Sequence, residues 1–232
     1  MERCDPSSCR ACAARLAGTS IFSGVSDQCL DAIEATRAVV SFPRGHVIYR
    51  EGEKASGIYC VSAGVVRMYR LTADGNEHLL AWAGPGQPLG YRAFFAEGTH
   101  SATAETVTAA EFCFLSDKAL KNLMSLEPNL ATSIIERLAR ELQSAENRWF
   151  SHARKTARAR VAELLLEFAV LPEHLHYYPT RLEMAQLCGL TPETLARVLT
   201  DFHQRGIVSR SRKAVELLDL DSLQEISQEG AS

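Results

Sequence analysis

Apolar and polar positions change rhythm twice along this chain. From Val39 to Leu115 the apolar runs are short (VVSF, HVIY, GIYCVSAG, VVRMYRL, HLLAWA, AEFCFL). Nine of the chain's fourteen glycines (Gly45, Gly52, Gly57, Gly64, Gly75, Gly84, Gly86, Gly90, Gly98) punctuate this stretch. Brief runs bounded by turn formers predict strands, and Asp74-Gly75-Asn76 predicts a hairpin turn. Many short strands at even spacing predict a small all-β barrel or jelly roll. Ahead of it, Ser26 and Asp27 offer caps for a short amphipathic helix through Ile33.

After Ser116 the period becomes helical. Asp117 is predicted to cap a short helix through Met124, and Pro128 opens a long one. Ile134, Ile135, Leu138, Leu142, Ala145 and Trp149 then recur at three- and four-residue steps, flanked by Glu136, Arg137, Arg140, Glu141 and Glu146. A long helix with one narrow apolar seam predicts pairing with a second helix, hence a dimer; packing on its own barrel is the alternative.

Residues 156–170 read as a further helix, ended by Leu171-Pro172, and residues 174–179 as a polar connection in which His174 and His176 carry no ligand spacing. Thr180 caps RLEMAQLCG; Thr191 caps PETLARVLTDFHQRG, with Pro192 at the first helical position and Gly206 at the end. Ile207 to Leu218 has the alternation of a terminal β-hairpin. Two capped helices separated by Gly189-Leu190 have helix-turn-helix spacing, with Ala185, Leu187, Leu190, Leu195, Val198 and Leu199 as the apolar contacts. The second helix then presents Thr191, Glu193, Thr194, Arg197 and, further on, Asp201. Arginine can fork onto the O6 and N7 acceptors of guanine, glutamate can accept from a cytosine amino group, and threonine hydroxyls suit phosphates. An ordinary αα-hairpin with a solvated charged face is the bland alternative.

Length and composition sharpen this. At 232 residues and 46% hydrophobic, the chain suits two folded domains. Its apolar runs are broken by charge well before the ~18 residues a membrane helix needs. The first eighteen residues carry cysteine and charge where a signal peptide needs an apolar stretch, so a cytoplasmic protein is expected. The net charge of −3 hides an asymmetry. Residues 1–150 carry 15 basic and 17 acidic side chains, residues 151–213 carry 10 and 6, and residues 214–232 carry five acids and no base. The basic segment (Arg154, Lys155, Arg158, Arg160, Arg181, Arg205, Arg210, Arg212, Lys213) contains the helix-turn-helix, which favours double-stranded DNA as its partner. Against an enzyme, the sequence shows no Ser/His/Asp grouping, glycine phosphate loop or HExxH. A redox or scaffold protein that does not bind DNA is the rival from another class.

The seven cysteines add candidate chemistry. An odd number in a cytosolic chain disfavours a disulfide scaffold. Cys4, Cys9 and Cys12 have C-x4-C-x2-C spacing, and with a distant fourth cysteine this matches a plant-type iron–sulfur pattern. A thiol–disulfide switch, a zinc site or no function are the alternatives. Cys60 and Cys188, in apolar frames, read as core residues, as does Cys113 between Phe112 and Phe114 when taken alone; Cys29 is ambiguous. His46, His78 and His100 lie in or beside strands, where haem ligation is a further alternative.

The order of parts resembles the cyclic AMP receptor/fumarate-nitrate reductase regulator (Crp/Fnr) family over nearly the whole chain. The most specific pieces are Gly189-Leu190-Thr191-Pro192-Glu193-Thr194-Leu195-Ala196-Arg197, then Gly206-Ile207-Val208, and the Glu127-Pro128-Asn129-Leu130 start of the long helix. The resemblance implies an α+β architecture with four parts: an N-terminal arm (1–20), a β-roll sensor (21–127), a dimerisation helix (128–150) and a winged helix-turn-helix (151–232). It implies a homodimeric transcription regulator on pseudo-palindromic DNA, working with RNA polymerase where it activates. Glu193 and Arg197 match the residues that read base edges. Ala196 stands where the oxygen-sensing branch usually has serine, and can meet a thymine methyl; Arg181 joins the DNA-facing set.

For the signal, cyclic-nucleotide members are similar in a phosphate cassette, which here reads Leu89-Gly90-Tyr91-Arg92 and His100-Ser101-Ala102. Tyrosine has replaced the ribose-binding carboxylate and histidine the phosphate-binding arginine. A cyclic phosphate thus loses its bidentate partner, and no cyclic AMP is expected. Oxygen-sensing members pair an N-terminal cysteine cluster with one cysteine in the last barrel strands. Carried over, that implies an iron–sulfur cluster on Cys4, Cys9, Cys12 and Cys113, [4Fe–4S] in preference to [2Fe–2S]. The spacing departs from those sensors, because Gly18 stands where their third N-terminal ligand falls. Ala145 stands where relatives often carry aspartate, which implies a dimer less dependent on the signal.

Overall fold

The computed structural model describes residues 9–15, 20–96, 98–169, 179–210 and 215–230, in two compact units, residues 1–140 and 141–232. Cys4, Gly18, His174, His176, Arg212 and Lys213 lie outside the described residues.

In the first unit, helices α1 (Cys9–Arg15) and α2 (Asp27–Thr36) precede eight strands: β1 (Ala38–Phe42), β2 (Val47–Tyr49), β3 (Gly57–Ala63), β4 (Val66–Leu71), β5 (Glu77–Ala83), β6 (Pro88–Leu89), β7 (Thr103–Thr106) and β8 (Ala110–Ser116). A short helix, α3 (Tyr91–Phe95), interrupts them, α4 (Asp117–Leu126) follows, and α5 (Pro128–Arg154) starts here and runs past residue 140 into the second unit. The strands form two antiparallel sheets, ordered β1-β8-β3-β6 and β2-β7-β4-β5. The glycine-punctuated pattern is therefore a β-roll, as expected. Gly75, at φ 81°, makes the β4–β5 turn, where Thr72 N donates to Asn76 O.

Alternation along β3 and β8 separates two cores. Val61 and Phe112 face the interior of the roll with Tyr49, Val66, Leu89 and Ala104. Ile58, Cys60, Cys113 and Leu115 face the other way, into a core shared with Cys9, Ile33, Leu120, Leu130 and Ile134 from the helices. One element here is additional to the sequence reading, and two expectations change. The seven residues of α1 within the arm are a helix, with Cys9 buried. Helix α2 runs on to Thr36, beyond Ile33, behind a Ser26 cap whose hydroxyl accepts from Cys29 N. Ser116, not Asp117, caps α4, which continues to Leu126; Asp117 is its first helical residue, where an acid favours the helix dipole.

Glu127 fixes the start of α5, its carboxylate accepting from Ser26 N at 3.1 Å and Asn129 N at 3.3 Å. The hydrogen bonding from Ser26, with a smaller part from Asn129, holds that carboxyl below the ordinary glutamate range. A depressed folded value stabilises fully above the unfolded value, about 4.3, and is lost as pH falls through the folded one. Glu127→Gln is expected to flatten the acid limb of Tm against pH; an unchanged limb counts against this carboxylate.

The predicted seam on α5 divides between two faces. Ile134 is buried at 2% exposure and Leu138 packs partly against the same core, because the helix lies on the α4 side of the roll. Ile135 (64%), Leu142 (61%) and Trp149 (74%) stand exposed, as does Ala145. Ile134 therefore packs in the chain's own core, and Ile135, Leu138, Leu142, Ala145 and Trp149 keep an unbroken three–four spacing.

The second unit holds α6 (Ala157–Ala169), α7 (Arg181–Leu187), α8 (Pro192–Gln204), the hairpin β9 (Val208–Arg210)–β10 (Val215–Leu217), and α9 (Leu220–Ser227). Helix α9 lies in the stretch read only as an acidic tail. Asp219 caps it, and Leu223 and Ile226 join Val161, Leu165, Leu195, Leu199 and Phe202 in one core.

Candidate functional site

Two groups of side chains stand out, one in each unit. In the second, Thr180 closes a capping box on α7: its hydroxyl accepts from Glu183 N at 3.2 Å, while Glu183 Oε2 accepts from Thr180 N at 2.7 Å. Gly189, at φ 59°, then turns the chain, and Leu190 N donates to Ala185 O. Thr191 caps α8 by accepting from Thr194 N. Leu195, Val198, Leu199 and Phe202 face the core, so Thr191, Glu193 and Arg197 are left exposed, with Thr194 and Ala196 half-buried beside them. Arg197 is already oriented: its Nη2 donates to Thr194 Oγ1 at 3.2 Å. Arg181 is exposed at the start of α7.

Several charges read as DNA-facing have structural partners instead. Asp201 pairs with Arg158 at 2.8 Å and lies 3.9 Å from Arg205, so this carboxylate is committed to neighbouring guanidinium groups. Lys155 reaches Glu163 and Ser227 O, and Arg160 donates to Cys188 O at 2.8 Å, holding the carbonyl just before the Gly189 turn. Sequence counts charge, but cannot show which charges the fold uses.

In the first unit, four cysteines converge. Cys60 and Cys113 are directly opposite in the β3–β8 register and share the helix-facing core with Cys9, while Cys12, three residues along α1, is half-buried. Burial pushes the Cys60 thiol well up, and neighbouring Cys113, Cys12 and Cys9 push it further, against a smaller opposing pull from Arg137. Arg37 Nη1 donates to Cys113 Sγ at 2.9 Å, and Cys9 N donates to Glu34 Oε2 at 3.0 Å. None of the six described cysteines is in a disulfide. Sequence spacing linked Cys9 and Cys12, but missed Arg37 and Cys60; only the sheet register and the end of α2 bring them in. Cys188 sits in the second unit's core, its thiol pushed up to about 12 by burial, and Cys29 lies on α2 in the helix-facing core. Among the described residues, no three donors close around a single-ion metal position. The donor set nevertheless suits an iron–sulfur group: soft thiols, sheltered from solvent, with Arg37 and Arg137 to offset negative charge.

The cassette region differs from a phosphate site. His100 is buried, stacked on Tyr49 with ring centroids 3.7 Å apart, and a Cβ added at Gly90 would meet its Cε1 at 3.1 Å. Burial lowers its pKa, with Glu53 pulling weakly the other way. Tyr91 is buried in the helix-facing core, and Arg92 is exposed. The other two candidate haem ligands have separate settings: His46 is exposed and stacked on Phe42, and His78 is exposed on β5.

A β-roll followed by a long helix and a winged helix-turn-helix is the architecture of a class of DNA-binding regulators. Residues 39–127 match the cyclic nucleotide-binding domain family, and residues 159–226 match the Crp-like helix-turn-helix domain. The chain is 30% identical over 215 residues to a CRP-like cAMP-activated global transcriptional regulator of Mycobacterium tuberculosis, covering 90% of this chain and 96% of that one. It is 24% identical to the transcriptional activator protein FnrA of Stutzerimonas stutzeri, covering 91% and 88%. FixK2 from Bradyrhizobium japonicum superposes with a TM-score of 0.72 at 26% identity, covering 82% of this chain and 97% of that one. This protein belongs to the Crp/Fnr family of DNA-binding transcription regulators, which act as dimers and engage RNA polymerase. Among the described residues, no helix is long and apolar enough to cross a membrane.

Proposed function

We propose that this regulator is a cytoplasmic homodimer that senses redox state, oxygen or nitric oxide through an iron–sulfur cluster, [4Fe–4S] in preference to [2Fe–2S]. Cys9, Cys12 and Cys113 are three of its thiolate donors; the sequence spacing alone offers Cys4 as a candidate for the fourth position. The observation that carries this is the meeting of Cys9 and Cys113, far apart in sequence, in one sheltered core with the Arg37 guanidinium on Cys113 Sγ. When bound, the cluster supplies an oxidant-sensitive centre. Arg37 donates to Cys113 Sγ and so orients that sulfur, and the α1–α2 packing shields Cys9 from water. Cyclic AMP is not the signal in this reading, because His100, held against Tyr49, gives a phosphate no fixed guanidinium.

The reading face is Thr191, Glu193, Thr194, Ala196 and Arg197 with Arg181, and the dimer seam is Ile135, Leu138, Leu142, Ala145 and Trp149. The preferred site is a pseudo-palindrome with half-site centres about 34 Å apart. A seam free of like charges at Ala145 makes dimerisation less dependent on the signal, so holo and cluster-free protein should sediment alike; a monomer–dimer switch on oxygen exposure would sink that point.

The test is the visible spectrum of anaerobically purified protein, with iron and sulfide assays. A brown protein that bleaches in air or nitric oxide is expected. Colourless protein with neither iron nor sulfide would overturn the cluster and leave a thiol–disulfide switch or a small-molecule effector.

A further inference from the structure

We propose that Cys60, not Cys4, supplies the fourth thiolate, so that the site is built from two pairs: Cys9 and Cys12 on α1, and Cys60 and Cys113 across β3 and β8. This rests on the cluster reading above. The helix pair is spaced i, i+3, which sets both sulfurs on one side of α1. The strand pair is in register, and both side chains leave the same face of the sheet, into the core that holds Cys9.

The backbone decides what this strand pair is suited to. Asp117 N donates to Ser56 O at 3.1 Å, so Ser56 and Asp117 form a hydrogen-bonded antiparallel pair. The register is unbroken from Gly57 to Val61, and pairs of this kind recur every second residue. Ile58/Leu115 and Cys60/Cys113 are therefore of the same kind, with Cα atoms ~5.5 Å apart and Cβ atoms at the wider end of the cross-strand range. A disulfide favours Cβ atoms ~3.8 Å apart, which this pairing does not supply without moving a central strand. Nor do the sulfurs close on one point, as zinc would need: four sulfurs each 2.3 Å from a metal lie only about 3.8 Å from one another. A multi-iron cluster holds its thiolates farther apart, and the two pairs are gathered without being closed.

The surrounding charge fits the same site. Arg37 donates to Cys113 Sγ at 2.9 Å, so the strand pair has a guanidinium beside it to offset the charge of a thiolate-bound cluster. Cys29 is an internal control: it is buried in the same core, but on α2 with its backbone N–H on the Ser26 hydroxyl, outside the two pairs.

The test uses the full-length protein, reconstituted anaerobically with ferrous iron and sulfide and then challenged with a chelator. Iron and acid-labile sulfide per chain, the visible spectrum and the Tm of the cluster-free form are measured for wild type and for Cys4→Ser, Cys29→Ser, Cys60→Ser and Cys113→Ser. Cys60→Ser and Cys113→Ser are expected to lose ~10-fold or more of the retained iron, with Tm of the cluster-free form close to wild type. Cys4→Ser and Cys29→Ser should keep a wild-type spectrum and iron content. If Cys60→Ser fails to fold, Cys4→Ser decides: its loss of iron would overturn the proposal. Full loading of Cys60→Ser would also overturn it while leaving the cluster intact. A wild-type protein that takes up no iron and sulfide, or only zinc, overturns the cluster reading itself and the Cys60 role with it.

Discussion

Arg197→Ala is expected to weaken binding to the preferred DNA site by ~1–3 kcal/mol, roughly 5- to 150-fold, and to relax discrimination at one guanine of each half-site. Arg197 is exposed on α8 with its guanidinium steadied by Thr194 Oγ1 at 3.2 Å, so the fork is oriented before DNA arrives. Base reading predicts a particular pattern. Arg197→Lys keeps the charge but loses the two-pronged geometry, so it should resemble alanine in specificity while retaining more affinity for random sequence. Arg181→Ala, at the start of α7, should instead weaken every sequence alike and lower the salt dependence of binding by about one counterion. Affinity for a set of operator variants at two salt concentrations separates these cases. Equal weakening of all sequences by Arg197→Ala would make it a phosphate contact and transfer base reading to Glu193 and Ala196.

What sequence disclosed follows the range of the interactions that set it. The two helices of the reading motif were legible because their determinants are local: Thr180 with Glu183, Gly189 at positive φ, and Thr191 followed by Pro192. The β-roll was legible as a class for the same reason, since turns are set by residues within them. Its register was not. The sheet order β1-β8-β3-β6 joins strands distant in the chain, and nothing in the frames around Cys60 and Cys113 shows that they face each other. Burial misled in the opposite direction, because an apolar frame reads as plain core whether or not other thiols share it. The charge count failed similarly at Lys155, Arg158 and Arg160, whose partners come from elsewhere in the second unit. The α9 helix was hidden because five acids dominate its stretch, while only Leu223 and Ile226 do the packing.

Leu142→Lys is expected to abolish the dimer at micromolar concentration without unfolding the chain. Leu142 lies near the centre of the exposed three–four stripe and is 61% exposed in the single chain, so lysine there costs the protomer little. Where the two stripes pair in parallel and in register about a twofold axis, a position at the axis is met by its own copy. Each leucine forfeits ~1.5–3 kcal/mol of burial, about 3 kcal/mol or more for the pair, and two facing ammonium groups add repulsion. That is a loss of more than ~100-fold in dimer affinity. DNA binding should fall further than any single contact explains, because a dimer meets its second half-site at a high effective concentration, an advantage of order 10²–10⁴ that a monomer lacks. Ile134→Lys separates the two faces of the same helix. Ile134 is buried at 2% in the helix-facing core, so its replacement should lower the protomer's own Tm rather than act on association. Sedimentation and thermal melts of the two variants measure this: Leu142→Lys monomeric with a near-native melt, Ile134→Lys destabilised. A Leu142→Lys protein that remains a tight dimer would place the interface elsewhere and leave the exposed stripe of α5 without a partner.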